Sequence, residues 1–348
     1  MLLIGTDEGI YRWAEGNGWP VFHGLQDRAV VALGSHRSGV VAALDDAGLV
    51  WESVDNGLNW RILTVPDGAG TPVSLALGSD GVIAISTIPL TLFTRRIGAP
   101  LRESAPLLAS VWQSLESLSA RAVSRSKSGG GATAVAPRRR ASAAGWTKLP
   151  IPGGSRSTVL RLLHSGPAAI FANLQGSGLW KSGDEGSTWT RVESLEPEVL
   201  ALRPLTGPDG GFAAATDRGV WFTSDAGATW TQSIAGLEDR PVVNVVEPHP
   251  GDPKVLLAAA RSAGADSPEG DLLHESNDGG KTWTKVVRSF PDKPGTDRIT
   301  DIRFDPATPD NIAVAFGSGE LWMTRNGGGY WQPFARQLSA ARALCPIA

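Results

Sequence analysis

The sequence predicts an all-β protein, a single seven-bladed β-propeller built from four-stranded blades. Three observations lead to this prediction. A short phrase ending in tryptophan recurs five times, and each copy follows a second ring-bearing side chain at a fixed distance. Apolar, strand-like segments also open successive units of about forty residues, the length of one propeller blade.

The recurring phrase begins with Ser or Thr, continues with Asp and Gly at every second position, and ends on Trp. Four copies consist of Ser53, Asp55, Gly57 and Trp60; Ser182, Asp184, Gly186 and Trp189; Thr223, Asp225, Gly227 and Trp230; and Ser276, Asp278, Gly280 and Trp283. In the fifth copy Asn replaces Asp, and its residues are Thr324, Asn326, Gly328 and Trp331. An Asp that accepts hydrogen bonds from its own turn, before a Gly with positive φ, is typical of a hairpin turn. We therefore assign these residues a structural role.

The strands around each phrase follow the same order in every unit. The position nine residues before the final Trp holds Trp51, Trp180, Trp221, His274 or Trp322, so each phrase is expected to join two strands of a hairpin. An alternating apolar strand and then a strand of small residues precede it, for example Glu198–Leu202 and Gly211–Thr216. Four short strands per unit indicate a propeller blade.

The number of units gives the number of blades. Six full units start near residues 28, 71, 157, 198, 240 and 297. The N-terminus supplies only later strands of a further unit, and the C-terminal residues 341–346 resemble the opening strand that this unit lacks. We therefore expect the two ends to complete one blade together, which gives seven blades in a closed ring without an open edge.

The repeated phrase resembles the BNR or Asp-box repeat of YVTN- and WD40-like propellers. The resemblance covers nearly the whole chain and is nearest to the seven-bladed photosystem II assembly-factor-like and sialidase-like types. It implies a non-catalytic binding or assembly scaffold, in which an arginine-bearing face holds a protein partner. The absence of an export or lipoprotein signal and the presence of a large insertion depart from the assembly-factor pattern.

The chain is expected to be one domain, residues 1–348, with an insertion at residues 97–144 in place of the box of the third blade. The spacing of Leu107, Leu108, Val111, Trp112 and Leu115 predicts an amphipathic helix over about 104–123. Residues 124–144 are basic and rich in Gly and Ser, and are expected to be flexible. The helix is expected either to cover its own blade or to help dock a protein partner.

Arginines in the loops that lead into the innermost strands are the candidate binding residues: Arg28, Arg156, Arg240 and Arg298. In a closed ring such loops converge on the rim of the central channel, where arginines can bind carboxylate or phosphate groups. The alternative is that each arginine pairs with the neighbouring Asp and holds its own loop in place.

Glycoside hydrolysis is the alternative function, because sialidases and some endoglucanases share this repeat. The arginine triad and tyrosine nucleophile of sialidases have no match here, since Tyr11 falls in a predicted strand and Tyr330 within a box. An endoglucanase-like site would need two carboxylates on the face opposite the boxes, with Asp7, Asp45, Asp46 and Asp217 as candidates. Activity as an enzyme stays open, with binding favoured.

Composition bears on nucleic-acid binding, membrane insertion, metal binding and cellular location. A net charge of −3 argues against a general nucleic-acid binder, and no apolar stretch is long enough for a transmembrane helix. The five histidines show no paired metal-ligand spacing, and we expect no metal or cofactor. The single Cys345 and an N-terminus without a signal peptide predict a cytoplasmic protein. Oligomeric state is left open.

Overall fold

The computed structural model of the chain describes residues 1–14, 18–78, 80–98, 145–151, 160–166, 169–174, 176–206, 211–263, 270–291, 297–335 and 338–347. These residues form 28 strands in seven four-stranded sheets. The predicted fold class, a seven-bladed β-propeller, is confirmed. We number the blades 1 to 7 from the N-terminus and call their strands inner, second, third and outer, from the channel outward.

The blades follow one another along the chain, with only blade 1 drawing on both ends. Blade 1 contains β1 (Leu2–Thr6), β2 (Gly9–Trp13), β3 (Val21–Gly24) and the C-terminal strand β28 (Ala341–Pro346). Blade 2 contains β4 (Val30–Ser35), β5 (Val41–Asp45), β6 (Val50–Ser53) and β7 (Arg61–Leu63), and blade 3 contains β8 (Thr71–Leu77), β9 (Val82–Ile88), β10 (Thr91–Arg96) and β11 (Thr147–Leu149). Blade 4 contains β12 (Leu160–Gly166), β13 (Ala169–Leu174), β14 (Gly178–Ser182) and β15 (Thr190–Arg191).

The last three blades have the same order. Blade 5 contains β16 (Val199–Pro204), β17 (Phe212–Thr216), β18 (Gly219–Thr223) and β19 (Thr231–Ser233). Blade 6 contains β20 (Val242–Pro248), β21 (Leu256–Arg261), β22 (Leu272–Ser276) and β23 (Thr284–Lys285), and blade 7 contains β24 (Ile299–Phe304), β25 (Ile312–Phe316), β26 (Leu321–Thr324) and β27 (Gln332–Ala335).

The ring closes as the sequence predicts. Strand β28 pairs antiparallel with β1, from Leu2 opposite Pro346 to Thr6 opposite Ala341. The outer strand of blade 1, β3, begins two residues after Trp19, which is 62% exposed. Both termini therefore contribute to the same sheet.

Apolar contacts between successive blades form the core. Among the described residues the buried hydrophobic side chains fall into seven clusters, and each cluster joins two neighbouring blades. The second strands supply small residues to these contacts, and Ala213, Ala214 and Ala215 of β17 are fully buried. Because alanine side chains are short, neighbouring twisted sheets can approach closely around the ring.

A bulge recurs in the inner part of every blade. The register between the inner and second strands shifts by one residue, for example between Val243 and Val245 in blade 6 and between Ile299 and Asp301 in blade 7. The same shift occurs in the other five blades. A bulge bends the strand and increases its twist, and so affects which side chains face the channel.

The five boxes form the predicted hairpin turns. In the box of blade 6, the Asp278 carboxylate accepts a backbone hydrogen bond from Thr282 at 3.0 Å and the Thr282 hydroxyl at 2.7 Å. The Ser276 hydroxyl donates to Asp278 at 2.8 Å and accepts the backbone N–H of Gly280 at 2.8 Å. The box glycines have φ between 81° and 91°. The Ser or Thr that opens each box therefore links the carboxylate to the glycine, a role that the sequence analysis did not assign.

These hydrogen bonds favour the ionised carboxylate. The Asn59 side chain and its backbone N–H lower the pKa of Asp55 to about 2. The Thr282 hydroxyl and backbone N–H lower the pKa of Asp278 to about 2. The box aspartates thus accept hydrogen bonds from the turns of their own blades.

Blade 3 lacks a box. Its outer strand β11 pairs with β10, with Phe93 opposite Lys148, and the Trp146 indole donates to the carbonyl of Thr64 in blade 2 at 3.0 Å. The chain leaves this blade after Gly98 and returns at Gly145, where the other blades have their boxes. The predicted helix at 104–123 and the predicted flexible segment at 124–144 lie outside the described residues.

Candidate binding site in the central channel

A cavity of about 920 Å³ occupies the central channel. Its walls come from the ends of the inner strands, such as Ser35, Leu77 and Pro346, and from residues just after them, such as Thr206 and Pro306. Because successive strands of a blade are antiparallel, the inner strands end on the face that carries the boxes. The cavity therefore extends along the channel, from Val31 and Val73 near the starts of two inner strands to the box face, which is opposite the loops that contain the predicted arginines.

Two arginines and two carboxylates line one side of the channel and form one network. Arg203 of blade 5 lies 2.9 Å from Glu247 of blade 6 and 3.5 Å from Asp301 of blade 7. Arg303 of blade 7 lies 2.8 Å from Glu247 and 3.3 Å from Asp301. The network holds equal numbers of positive and negative charges and joins three blades.

Backbone groups complete this network. Arg303 donates through Nε to the carbonyl of Leu344 at 3.1 Å, and Asp301 accepts the backbone N–H of Leu344 at 2.9 Å. Leu344 belongs to the closing strand β28, so the charged groups also join blade 7 to the C-terminal strand of blade 1. Burial alone lowers the pKa of Arg303, but the Asp301 and Glu247 carboxylates outweigh it and raise that pKa above its ordinary value.

The strand register explains why these side chains meet. Arg203, Glu247 and Arg303 each lie opposite the second residue of the adjacent strand: Ala213, Leu257 and Ala313. They occupy one layer of the channel and present positive, negative and positive charge from three consecutive blades. In the same layer blade 1 presents Cys345 and blade 2 presents Gly34.

The side of the channel formed by blades 2 and 3 is apolar. Val31 and Leu33 of β4 and Val73 and Leu75 of β8 line the cavity there. Val73 is 38% exposed although it lies on an innermost strand. In the ring order, blades 2 and 3 are across the channel from blade 6. The cavity thus has an apolar wall facing a charged wall.

Buried carboxylates hold two of the predicted rim arginines. Arg28 pairs with Asp45 at 2.9 Å and lies over the Trp51 ring, with its guanidinium carbon 5.0 Å from the ring centroid. Arg298 pairs with Asp271 at 3.2 Å. Both partners come from the loop between the second and third strands, and neither is the adjacent Asp that the sequence suggested.

The other two predicted rim arginines are Arg240 and Arg156. Arg240 makes a long contact of 3.5 Å with the carbonyl of Gly270, and Arg156 lies outside the described residues. Arg28, Arg240 and Arg298 all precede inner strands, in blades 2, 6 and 7, but none of the three is among the described residues that line the 920 Å³ cavity.

The sequence analysis missed Arg203, Glu247, Asp301 and Arg303. Each is a charged residue near the end of an otherwise apolar inner strand, and such a residue is usually interpreted as the solvated end of the strand. An alignment of the repeats by their second strands would have placed three of the four in one layer. Their repeated position across three blades was the available signal.

Three of the four carboxylates considered for hydrolysis are held in structural contacts. Asp45 accepts the Leu49 backbone N–H at 2.7 Å and the Trp51 indole N–H at 3.0 Å, besides pairing with Arg28. Asp217 accepts the backbone N–H of Glu198 at 3.0 Å, and Asp7 pairs with Arg342.

Within the described ranges, no group of three or more His, Cys, Asp or Glu side chains could hold a metal ion. No helix among these residues is long and apolar enough to cross a membrane.

Comparisons with known proteins support the fold. The family model described as "Sortilin-Vps10: Sortilin, neurotensin receptor 3" matches residues 177–289, a stretch that contains three of the boxes. No curated protein matches the sequence.

Several solved structures are similar to the whole ring. One is YCF48 bound to D1 peptide, with 12% identity, coverage of 93% of this chain and 87% of that chain, and a TM-score of 0.56. Another is YCF48 from Cyanidioschyzon merolae, with 11% identity, coverage of 90% and 88%, and a TM-score of 0.56. A third is the GH74 xyloglucanase from Xanthomonas campestris, with 14% identity, coverage of 99% and 52%, and a TM-score of 0.58. This chain spans about half of that enzyme. At these identities the likeness concerns the fold, and it confirms the resemblance to Asp-box propellers.

Proposed function

We propose that this chain is a non-catalytic binding propeller that holds a short segment of a protein partner in the channel cavity at the box face. The observation that carries the proposal is the cavity itself: 920 Å³ of open space between an apolar wall and a charged wall. A cavity of that size is at the upper end for ligand sites. It has room for several amino-acid residues.

The two walls suit different parts of a peptide. Side chains such as Leu or Val would pack against Val31, Leu33 and Val73, where Val73 now exposes apolar surface. Each arginine has five N–H donors. Arg303 uses three of them in the contacts to Leu344, Glu247 and Asp301, so peptide carbonyl or carboxylate oxygens could bind the others.

The known structures lend this proposal further support. A propeller with the same ring, YCF48, has been solved bound to a peptide. The GH74 likeness supports the hydrolase alternative in the same manner, but the carboxylates of Asp7, Asp45 and Asp217 are engaged in structural contacts. A cytoplasmic location, predicted from the sequence, is part of the proposal.

The rim arginines have a supporting role in this proposal. Arg28 and Arg298 neutralise the fully buried carboxylates Asp45 and Asp271, and so stabilise the loops at the other face. Replacing them should lower the stability of the fold before it affects partner binding.

Affinity capture from native lysate tests the proposal. The variant Val73→Asp places a charge on the apolar wall at an exposed position, where the effect on folding should be small. Val287→Asp is the matched control, because Val287 is 72% exposed and follows the outer strand of blade 6, away from the channel. Circular dichroism establishes that both variants are folded.

We expect wild type and Val287→Asp to retain a common protein, identified by mass spectrometry, that Val73→Asp loses. An identical set of proteins on all three baits, or none on any, would overturn the proposal. Turnover of polysaccharides or aryl glycosides that disappears when Asp45, Asp46 or Asp217 is changed to Asn would replace it with the hydrolase alternative.

A further inference from the structure

The box of blade 2 differs from the other boxes at three surface positions. Where blade 2 has Val54, Leu58 and Ile62, all exposed, the equivalent positions of the other boxed blades are mostly polar or small. These residues are Gly183, Ser187 and Arg191 in blade 4; Ser224, Ala228 and Gln232 in blade 5; Asn277, Lys281 and Lys285 in blade 6; and Arg325, Gly329 and Pro333 in blade 7. Because four blades form the same turn with these residues, the turn itself does not require apolar side chains in blade 2.

The neighbouring outer strand has the same unusual character. Strand β3 of blade 1 and the residues before it expose Trp19, Val21 and Phe22. Strand β3 is the outer edge of its sheet and carries neither a charged residue nor a proline in Val21–Gly24. Native proteins usually protect such an edge with charge, proline or a very short strand, and the two-residue outer strands β15 and β23 end on Arg191 and Lys285.

The two apolar surfaces are next to each other. Gly24 of β3 lies against the Trp60 indole of blade 2, where a Cβ atom would come within 2.9 Å of Cδ1. Gly57, between Val54 and Leu58, packs in turn against Leu3 of blade 1. Phe22 contacts Tyr11, which packs toward blade 7, and so does not belong to this surface. We call Trp19, Val21, Val54, Leu58 and Ile62 the blade 1–2 patch.

The exposed area of the blade 1–2 patch can be compared with the area that a dimer interface buries. The five side chains are between 45% and 62% exposed. At about 150–250 Å² for a large side chain, the exposed part amounts to about 500 Å², within the range of the largest patch on a monomer surface. Two such patches together bury about 1,000 Å², the area that a specific interface needs to reach.

Charge does not oppose the contact of two identical patches. Arg61, beside Ile62, is paired with the buried Glu52 at 2.5 Å, and Asp55 accepts hydrogen bonds within its own turn. A self-complementary, apolar surface is what a two-fold dimer requires. We propose that the blade 1–2 patch is the interface of a homodimer in which the same patch of two copies pairs around a two-fold axis.

Sedimentation velocity of the full chain over a range of concentrations tests this proposal. The triple variant Val54→Ser, Leu58→Ala and Ile62→Gln introduces the residues of blade 5, which are compatible with the turn. A second variant, Val21→Lys, adds to β3 the charge that other outer strands carry. Val287→Ser is the control for removal of an exposed apolar side chain elsewhere, and thermal unfolding compares the stability of all variants.

We expect wild type and Val287→Ser to associate as a dimer with the same Kd. In the triple variant and in Val21→Lys the Kd should rise at least tenfold, with the fold retained. A wild type that stays monomeric at the highest concentration would overturn the proposal. So would a folded triple variant that dimerises as tightly as wild type, or a dimer in which β3 amides gain no protection from hydrogen exchange. A failure here leaves the channel proposal unaffected, because Val73 lies on an innermost strand and the blade 1–2 patch lies around the outer strands and the box turn of blade 2.

Discussion

Replacing Glu247 by Gln tests the charge network of the channel. Glu247 accepts from Arg203 Nε at 2.9 Å and from Arg303 Nη1 at 2.8 Å. Gln keeps the size of the side chain but removes one negative charge, so two guanidinium groups then share the single carboxylate of Asp301. The variant therefore leaves a positive charge without a partner in a mostly buried site.

The loss of unfolding free energy in Glu247→Gln depends on how deeply the four charged side chains are buried. Breaking a buried ion pair costs about 3–5 kcal/mol when both groups are fully buried. Here the four side chains keep between 8% and 22% of their exposure, so we expect the free energy of unfolding to fall by about 2–4 kcal/mol. For 348 residues, an unfolding entropy of about 0.7 kcal/mol/K converts this loss to a Tm lower by about 3–6 °C.

A double variant separates charge balance from hydrogen bonding. Changing Arg203 to Gln together with Glu247 removes more hydrogen bonds than Glu247→Gln alone, but it leaves the balanced pair Arg303 and Asp301. We therefore expect the double variant to be more stable than Glu247→Gln. Urea and thermal unfolding followed by tryptophan fluorescence measure both variants. A Glu247→Gln variant that loses less than about 1 kcal/mol, or a double variant whose loss equals both single losses added together, would refute the reasoning.

Three further predictions concern acid stability and closure of the ring. The box carboxylates of Asp55 and Asp278 have pKa values lowered to about 2. The stability that they contribute is therefore present above about pH 4 and is lost toward pH 2. Asp278→Asn should reduce this pH dependence of the unfolding free energy, measured by urea titration. Burial lowers the pKa of His274 from its ordinary 6.5 to about 4. As the pH falls, the unfolded chain therefore binds the proton before the folded chain does, and the free energy of unfolding decreases between about pH 6.5 and 4. His274→Phe should lose this pH dependence of the unfolding free energy, while wild type keeps it. A chain that ends at residue 340 lacks β28 and leaves the inner edge of β1 unpaired, so we expect it to aggregate or melt far below wild type. A monomeric truncated chain with the wild-type Tm would contradict the role of the closing strand.

Local and repeated features made the fold predictable from the sequence. The turn of each box is determined within eight residues by side-chain oxygens and a positive-φ glycine, as Ser276, Asp278 and Gly280 show. The closing strand was predictable because residues 341–346 repeat the pattern of the other inner strands. The recurring bulge of those strands was not, since it depends on twist around the ring and has no residue signature of its own.

The channel network could not be predicted in the same way, because its members are far apart in the sequence. Arg203 meets Asp301 only after three blades have closed around a common axis. The rim arginines were predicted by position, but their side-chain partners, Asp45 and Asp271, depend on loops from other strands. Pairing of long side chains is decided by distances that a single sequence does not contain.

Differences between equivalent positions carry more information about function than the repeat itself. The seven blades pack against their neighbours in the same way, so a residue type that all of them share is explained by the fold. Glu247 lies in the layer where blades 1 and 2 have Cys345 and Gly34, and the fold therefore does not demand a charge there. Leu58 likewise occupies a position that Ser187, Ala228, Lys281 and Gly329 fill in other blades. Glu247 is explained by its two arginine partners in neighbouring blades. Leu58 helps neither the turn nor the strand, and the proposed dimer contact would account for it.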